Sequence, residues 1–128
     1  MSLRGARAKF SRKMFDFERL IVYQKTLQLV KQVLSFLALQ KDVDDVLADQ
    51  LKRAVTSILF SLAEGTGRES SADKRRFYTM ARSSAYESAA ILQVILQTQK
   101  IESEDYSTFY GLLEEISKML LALIRQTK

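Results

Sequence analysis

Midway along this chain a helix-forming run ends in Ala63-Glu64-Gly65-Thr66-Gly67-Arg68, which holds two of only four glycines in a sequence without proline. Glycine and proline are the residues that interrupt helices. A 128-residue chain that keeps them this scarce is committed to long helices joined at a few points. Gly65 and Gly67 are expected to form the structural turn. Gly65 suits the left-handed position that ends a helix, where a side chain would clash, and Gly67 lets the chain turn back tightly. One helical hairpin precedes the turn and another follows it. The expected fold is therefore all-α, an antiparallel up-down-up-down four-helix bundle with short loops. Gly-x-Gly also suggests a phosphate loop, but here the motif follows a helix rather than a strand, and Ser70 stands where a third glycine would be.

The first helix is expected over about residues 18–39. Leu20, Tyr23, Leu27, Val30, Leu34 and Leu37 recur in threes and fours and form a seam. A second apolar stripe, Val22, Thr26, Leu29, Val33 and Phe36, lies nearly opposite. A helix of a small bundle needs only one buried face, so one that is apolar on two sides predicts an interface between subunits. On this reading Val22, Leu29, Val33 and Phe36 are the interface residues. A basic arm folding back over the stripe is the alternative.

Asp42, Asp44 and Asp45 supply the cap and first-turn acids of a second helix over about residues 44–64. With no glycine for a sharp turn, they are not a calcium loop. Its seam is Leu47, Leu51, Ala54, Ile58 and Leu62. Ser70 or Ser71 caps a third helix that runs to about residue 98. Its seam takes in Phe77, Met80 or Ala81, Ser84, Glu87 or Ser88, Ile91, and Val94 or Ile95. Glu87 at a seam position needs a partner once buried, and Arg53 or Gln50 of the second helix is the candidate for that contact. Ser103 is expected to cap a fourth helix with Tyr106, Phe109, Leu113, Ile116, Leu120 and Leu123 along its seam.

Histidine and cysteine are absent, which removes disulfides, thiol chemistry, most zinc sites and the commonest general base. No metal, cofactor or catalytic residue is expected, and the chain is read as no enzyme. No apolar run is long enough for a membrane span and no signal-type core follows the basic start, so a cytoplasmic protein is expected. The net charge of +5 has one address: residues 1–15 carry Arg4, Arg7, Lys9, Arg12 and Lys13 and no acid, and the rest of the chain balances. Residues 1–16 are read as a basic arm and residues 17–128 as the bundle, with Phe10, Phe15 and Phe17 pinning the arm. A second basic cluster is Arg68, Lys74, Arg75, Arg76 and Arg82. Both clusters suit the phosphate backbone of RNA or DNA. The alternative is a scaffold that binds proteins and has no nucleic-acid role.

The residues Phe17-x-x-Leu20-Ile21-Val22-Tyr23-Gln24-Lys25, Gln50-x-x-Arg53-Ala54-x-x-Ser57-Ile58, Ala63-Glu64-Gly65-Thr66-Gly67-Arg68 and Phe77-x-x-x-Ala81-x-x-Ser84-x-x-Glu87 form one constellation. It resembles the bacterial four-helix-bundle family named after proteins encoded in intervening sequences of the 23S rRNA gene. Tyr23, Leu59, Ser61 and Ser83 stand where that family usually has Trp, Pro, Asn and Gly. The resemblance implies a homopentamer of bundles, so the expected partners are further copies of the chain, with RNA or DNA.

Overall fold

A computed structural model of the chain describes residues 15–98 and 100–128. Its helices are α1 (Ile21–Leu39), α2 (Asp45–Thr66), α3 (Ser71–Gln97) and α4 (Ser103–Gln126), with a 3-10 turn at Asp16–Arg19 leading into α1. Each of α1 and α3 packs against both α2 and α4, so the helices stand in chain order around the four corners of a bundle. This is the all-α up-down-up-down architecture that the periodicity predicts.

Local chemistry sets the helix boundaries. The Asp44 carboxylate accepts the backbone N–H groups of Val46 and Leu47 at 3.0 and 3.2 Å and starts α2. The Ser70 hydroxyl accepts that of Asp73 at 3.1 Å and starts α3. Ser103, expected as a cap, is instead the first residue of α4, and the preceding Glu102 makes no side-chain cap bond. The C-terminal carbonyls of α2 and α4 are answered from the first turn of α3. Lys74 Nζ donates to Thr66 O at 2.8 Å, Arg75 Nη1 donates to Thr127 O at 2.8 Å, and Ser71 Oγ donates to Lys128 O. One end of the bundle is tied together in this way.

Gly65 is required for a reason other than the one expected. It lies inside the last turn of α2 with ordinary helical backbone, and α3 crosses directly over it. A Cβ there would sit 2.6 Å from Tyr78 Cε1 and 3.0 Å from Phe77 Cβ. Close approach of two helices, not left-handed backbone, excludes a side chain. Gly67 has φ −87° and ψ −4°, and a Cβ there would meet only Glu64 O at 3.5 Å, so neither conformation nor space demands glycine. Burial beneath this crossing raises the Tyr78 phenol above its ordinary pKa of 10.0.

The core corrects the reading of α1. Val22, Leu29 and Val33 face the interior, with Leu29 and Val33 at 0% exposure, and Phe36 is half-buried edge-on against Phe109 of α4 at 5.6 Å. Val22, Leu29 and Val33 are therefore core residues and not a subunit interface, while Phe36 packs against the core and stays partly exposed. Thr26 belongs with them because its hydroxyl donates to Val22 O at 2.7 Å, so a polar residue enters the core already satisfied. The outward residues come from the expected seam: Leu27 and Leu34 are 48% and 38% exposed. Val30 and Leu37 of that seam are buried in the core. The second stripe is therefore core, the expected seam is split between buried Val30 and Leu37 and exposed Leu27 and Leu34, and of that seam only the latter pair puts apolar surface outward.

The expected buried contact between Glu87 and Arg53 is also absent, since both residues are exposed. The α3 seam resolves to Ala81, Ser88 and Ile95, and leaves Met80, Glu87 and Val94 outside. The polar contact between α2 and α3 is made by Ser57 and Ser84, whose hydroxyls lie 2.9 Å apart. Two short side chains let the helices approach, and each satisfies the other. Before α1, Phe15 stacks on Phe17 at 5.3 Å and Phe17 packs on Tyr23 at 4.7 Å, so the two described phenylalanines do hold the start of the bundle. Phe10 lies outside the described residues. The Tyr23 phenol is raised above its ordinary pKa by burial and, secondarily, by the charge of Glu18.

Candidate nucleic-acid interface

The expected basic residues of the bundle do not form one patch. Arg68 leaves the α2–α3 turn and Arg76 rises from the second turn of α3, and both reach the ring of Phe77. Their guanidinium carbons lie 4.4 and 4.5 Å from its centroid. Asp73 links them. It holds Arg76 Nη2 at 2.9 Å and lies 3.8 Å from Arg68 Nε, while Glu64 lies 3.9 Å from Arg68 Nη2. Arg76 is thus committed to a close carboxylate. Arg68 has only loose ion pairs, and in water such pairs restrain a cation weakly.

Lys74 and Arg75 are occupied with the carbonyls at the ends of α2 and α4. Their first task is to close the bundle end. Arg82 lies on another face. Its Nε donates to Ser117 O of α4 at 3.1 Å and its Nη2 donates to the Tyr86 hydroxyl at 3.1 Å. The five cations therefore divide three ways: a stacked pair, two helix-end ties, and one that joins α3 to α4. Arg4, Arg7, Lys9, Arg12 and Lys13 lie outside the described residues.

What the fold does bring together is the first described residues and Arg68. Phe15, Asp16 and Phe17 line one depression with Ala63, Glu64, Gly67 and Arg68. The first described residue therefore lies beside the turn. The far end of the bundle is acidic: Asp42 and Glu102 line a depression with Lys100, and Asp44, Asp45, Glu104 and Asp105 begin the helices there.

Sequence reasoning missed a groove between α3 and α4, about 380 Å³ in volume, where Arg82 sits beside Tyr86, Gln93, Tyr110 and Lys118. Arg82 and Tyr86 are one turn apart, and that spacing was readable. The contribution of α4 depends on the register of two antiparallel helices, which no spacing within either helix gives.

Among the described residues, no helix is long and apolar enough to cross a membrane. No curated protein matches the chain. Among solved structures, a protein of unknown function from the S23 ribosomal protein family of Bacteroides thetaiotaomicron superposes with a TM-score of 0.79 at 24% identity, covering 83% of this chain and 100% of that one. It supports the bundle and its topology. The family model described as 23S rRNA-intervening sequence protein matches residues 18–122, from the 3-10 turn to the last turns of α4. The chain belongs to the 23S rRNA-intervening sequence protein family.

Proposed function

We propose that this is a non-catalytic cytoplasmic protein that assembles with copies of itself, as the pentamer the family resemblance implies, and binds the phosphate backbone of RNA or DNA. The observation that carries the nucleic-acid reading is the meeting of the basic segment's root with Arg68 at one end of the bundle, opposite an acidic end. Residues 1–15 carry five cations and no acid, and Phe15, the first described residue, lies at that end. The polarity would orient a polyanion toward it before contact. At that end Arg68 has only loose ion pairs, whereas Lys74 and Arg75 serve the fold.

The test is fluorescence anisotropy of a labelled 20-nucleotide RNA, single-stranded and duplex, between about 50 and 200 mM salt. Binding should weaken steeply, with a slope of log K against log salt of about −0.9 per duplex phosphate contacted. Deleting residues 1–13 should flatten the slope by several contacts, and Arg68→Ala by about one. Affinity that stays level across the salt range would sink the reading. Recovery from cells of a protein partner that resists nuclease and is kept by the deletion variant would favour the protein scaffold instead.

Self-association rests on the outward stripe of α1. Leu27 and Leu34 lie seven residues apart on one line of the helix, and with Leu39 at 83% exposure they put apolar surface in water.

A further inference from the structure

We propose that the groove between α3 and α4 holds an unpaired base of a single-stranded nucleic acid. The inference deepens the nucleic-acid reading above and rests on it. Tyr86 is 60% exposed and Tyr110 is 37% exposed, one from each helix, and both line the same groove. Tyr110 already stacks on Tyr106 with centroids 5.6 Å apart, and Arg82 lies over Tyr86, so the exposed remainder of each ring is the stacking surface left to a base. A duplex, whose bases are already stacked, has no use for it.

The rest of the groove fits that occupant. Ala85 and Ala89 form part of the α3 wall, and their methyl groups leave room for a planar ring. Gln93 offers an amide with both donors and an acceptor, the complement of a base edge. Arg82 is held in place by Ser117 O and the Tyr86 hydroxyl, and its guanidinium carbon lies 5.0 Å from the Tyr86 centroid. Those two bonds leave guanidinium N–H groups over for a phosphate. Lys118 adds a second cation on the α4 wall, and Glu114 beside it is the one acid of the groove. A proline-rich peptide is the other ligand that tyrosine-lined grooves take. It would leave the Gln93 amide and the two cations unanswered, whereas a nucleotide answers both.

The chain has five tyrosines and no tryptophan, so its own emission reports on these rings. The full chain is titrated at low salt with a 12-nucleotide oligo-dT and, separately, with a mixed-sequence 12-base-pair duplex. The single strand should bind at least tenfold tighter and should quench tyrosine emission. Tyr86→Ala should weaken the single strand about five- to a hundredfold and leave the duplex unchanged. Tyr86→Phe, which keeps the ring, should retain binding. Tyr86 is exposed, so the alanine variant is expected to fold, and circular dichroism checks it; Arg82→Gln with the ring intact supplies a second variant, expected to weaken the single strand severalfold. Equal affinity of strand and duplex, or a single-strand affinity untouched by Tyr86→Ala, overturns this inference and leaves backbone binding standing. Failure of both nucleic acids to bind at low salt overturns both. Quenching by a proline-rich decapeptide while oligo-dT is indifferent to Tyr86 would assign the groove to protein.

Discussion

At the scale of single residues, the two glycines of the central turn make opposite demands. Gly65 is buried where Tyr78 and Phe77 cross α2, and the Phe77 Cβ, fixed to its backbone, cannot move aside as a side-chain tip would. Gly65→Ala gains about 1 kcal/mol in helix propensity but incurs about 1–3 kcal/mol of overpacking. The expected net effect is a loss of stability, read as a lower denaturant midpoint. Gly67 already has backbone that alanine adopts and open space around it. Gly67→Ala should stabilise by about 0.4–1 kcal/mol through the unfolded chain. Equal effects at the two positions would refute the crossing as the cause. The caps at Asp44 and Ser70 were legible because capping is local to a few residues. The role of Gly65 was not, because it depends on a helix that folds back onto it.

At the scale of the element, α1 shows what periodicity can and cannot decide. Spacing located two apolar stripes correctly. It could not say which residues face inward, because both repeat at helical intervals. Thr26 enters the core with its hydroxyl bonded to Val22 O. The same limit applies in α3, where spacing left Glu87 or Ser88 open and packing chose Ser88, at 0% exposure. The two stripes predict two different failures. Leu29→Ala, at a fully buried position, should cost about 2–5 kcal/mol of folding stability in chemical denaturation. Leu27→Lys combined with Leu34→Lys should change stability by no more than about 0.5 kcal/mol per site and should shift the sedimenting species toward the single chain. If the lysine pair leaves the sedimenting mass unchanged, the outward stripe of α1 is not where copies meet.

At the scale of the whole molecule, charge is unevenly divided, and that bears on how copies can pack. Asp42, Asp44, Asp45, Glu102, Glu104 and Asp105 outnumber Lys41 and Lys100 at one end, while at the other Arg68, Lys74, Arg75 and Arg76 stand among Asp16, Glu64, Glu69 and Asp73, so that end is close to balanced apart from the five bases of residues 1–15. A closed cyclic assembly built through the flank of α1 sets like ends side by side. Its apolar contact must then hold against repulsion among like-charged ends. Salt screens that repulsion, since the Debye length shrinks from roughly 30 Å at 0.01 M to roughly 8 Å at 0.15 M. Raising salt from about 20 to about 500 mM should therefore keep or strengthen the assembly while it releases nucleic acid. The two dependences have opposite signs, and sedimentation run beside anisotropy on the same samples reads both. The competing arrangement sets the basic end of one copy on the acidic end of the next. That contact is head-to-tail, need not close, and is held by the very attraction that salt weakens. Assemblies that dissociate to single chains as salt rises would select it, and would remove the outward stripe of α1 from any part in assembly.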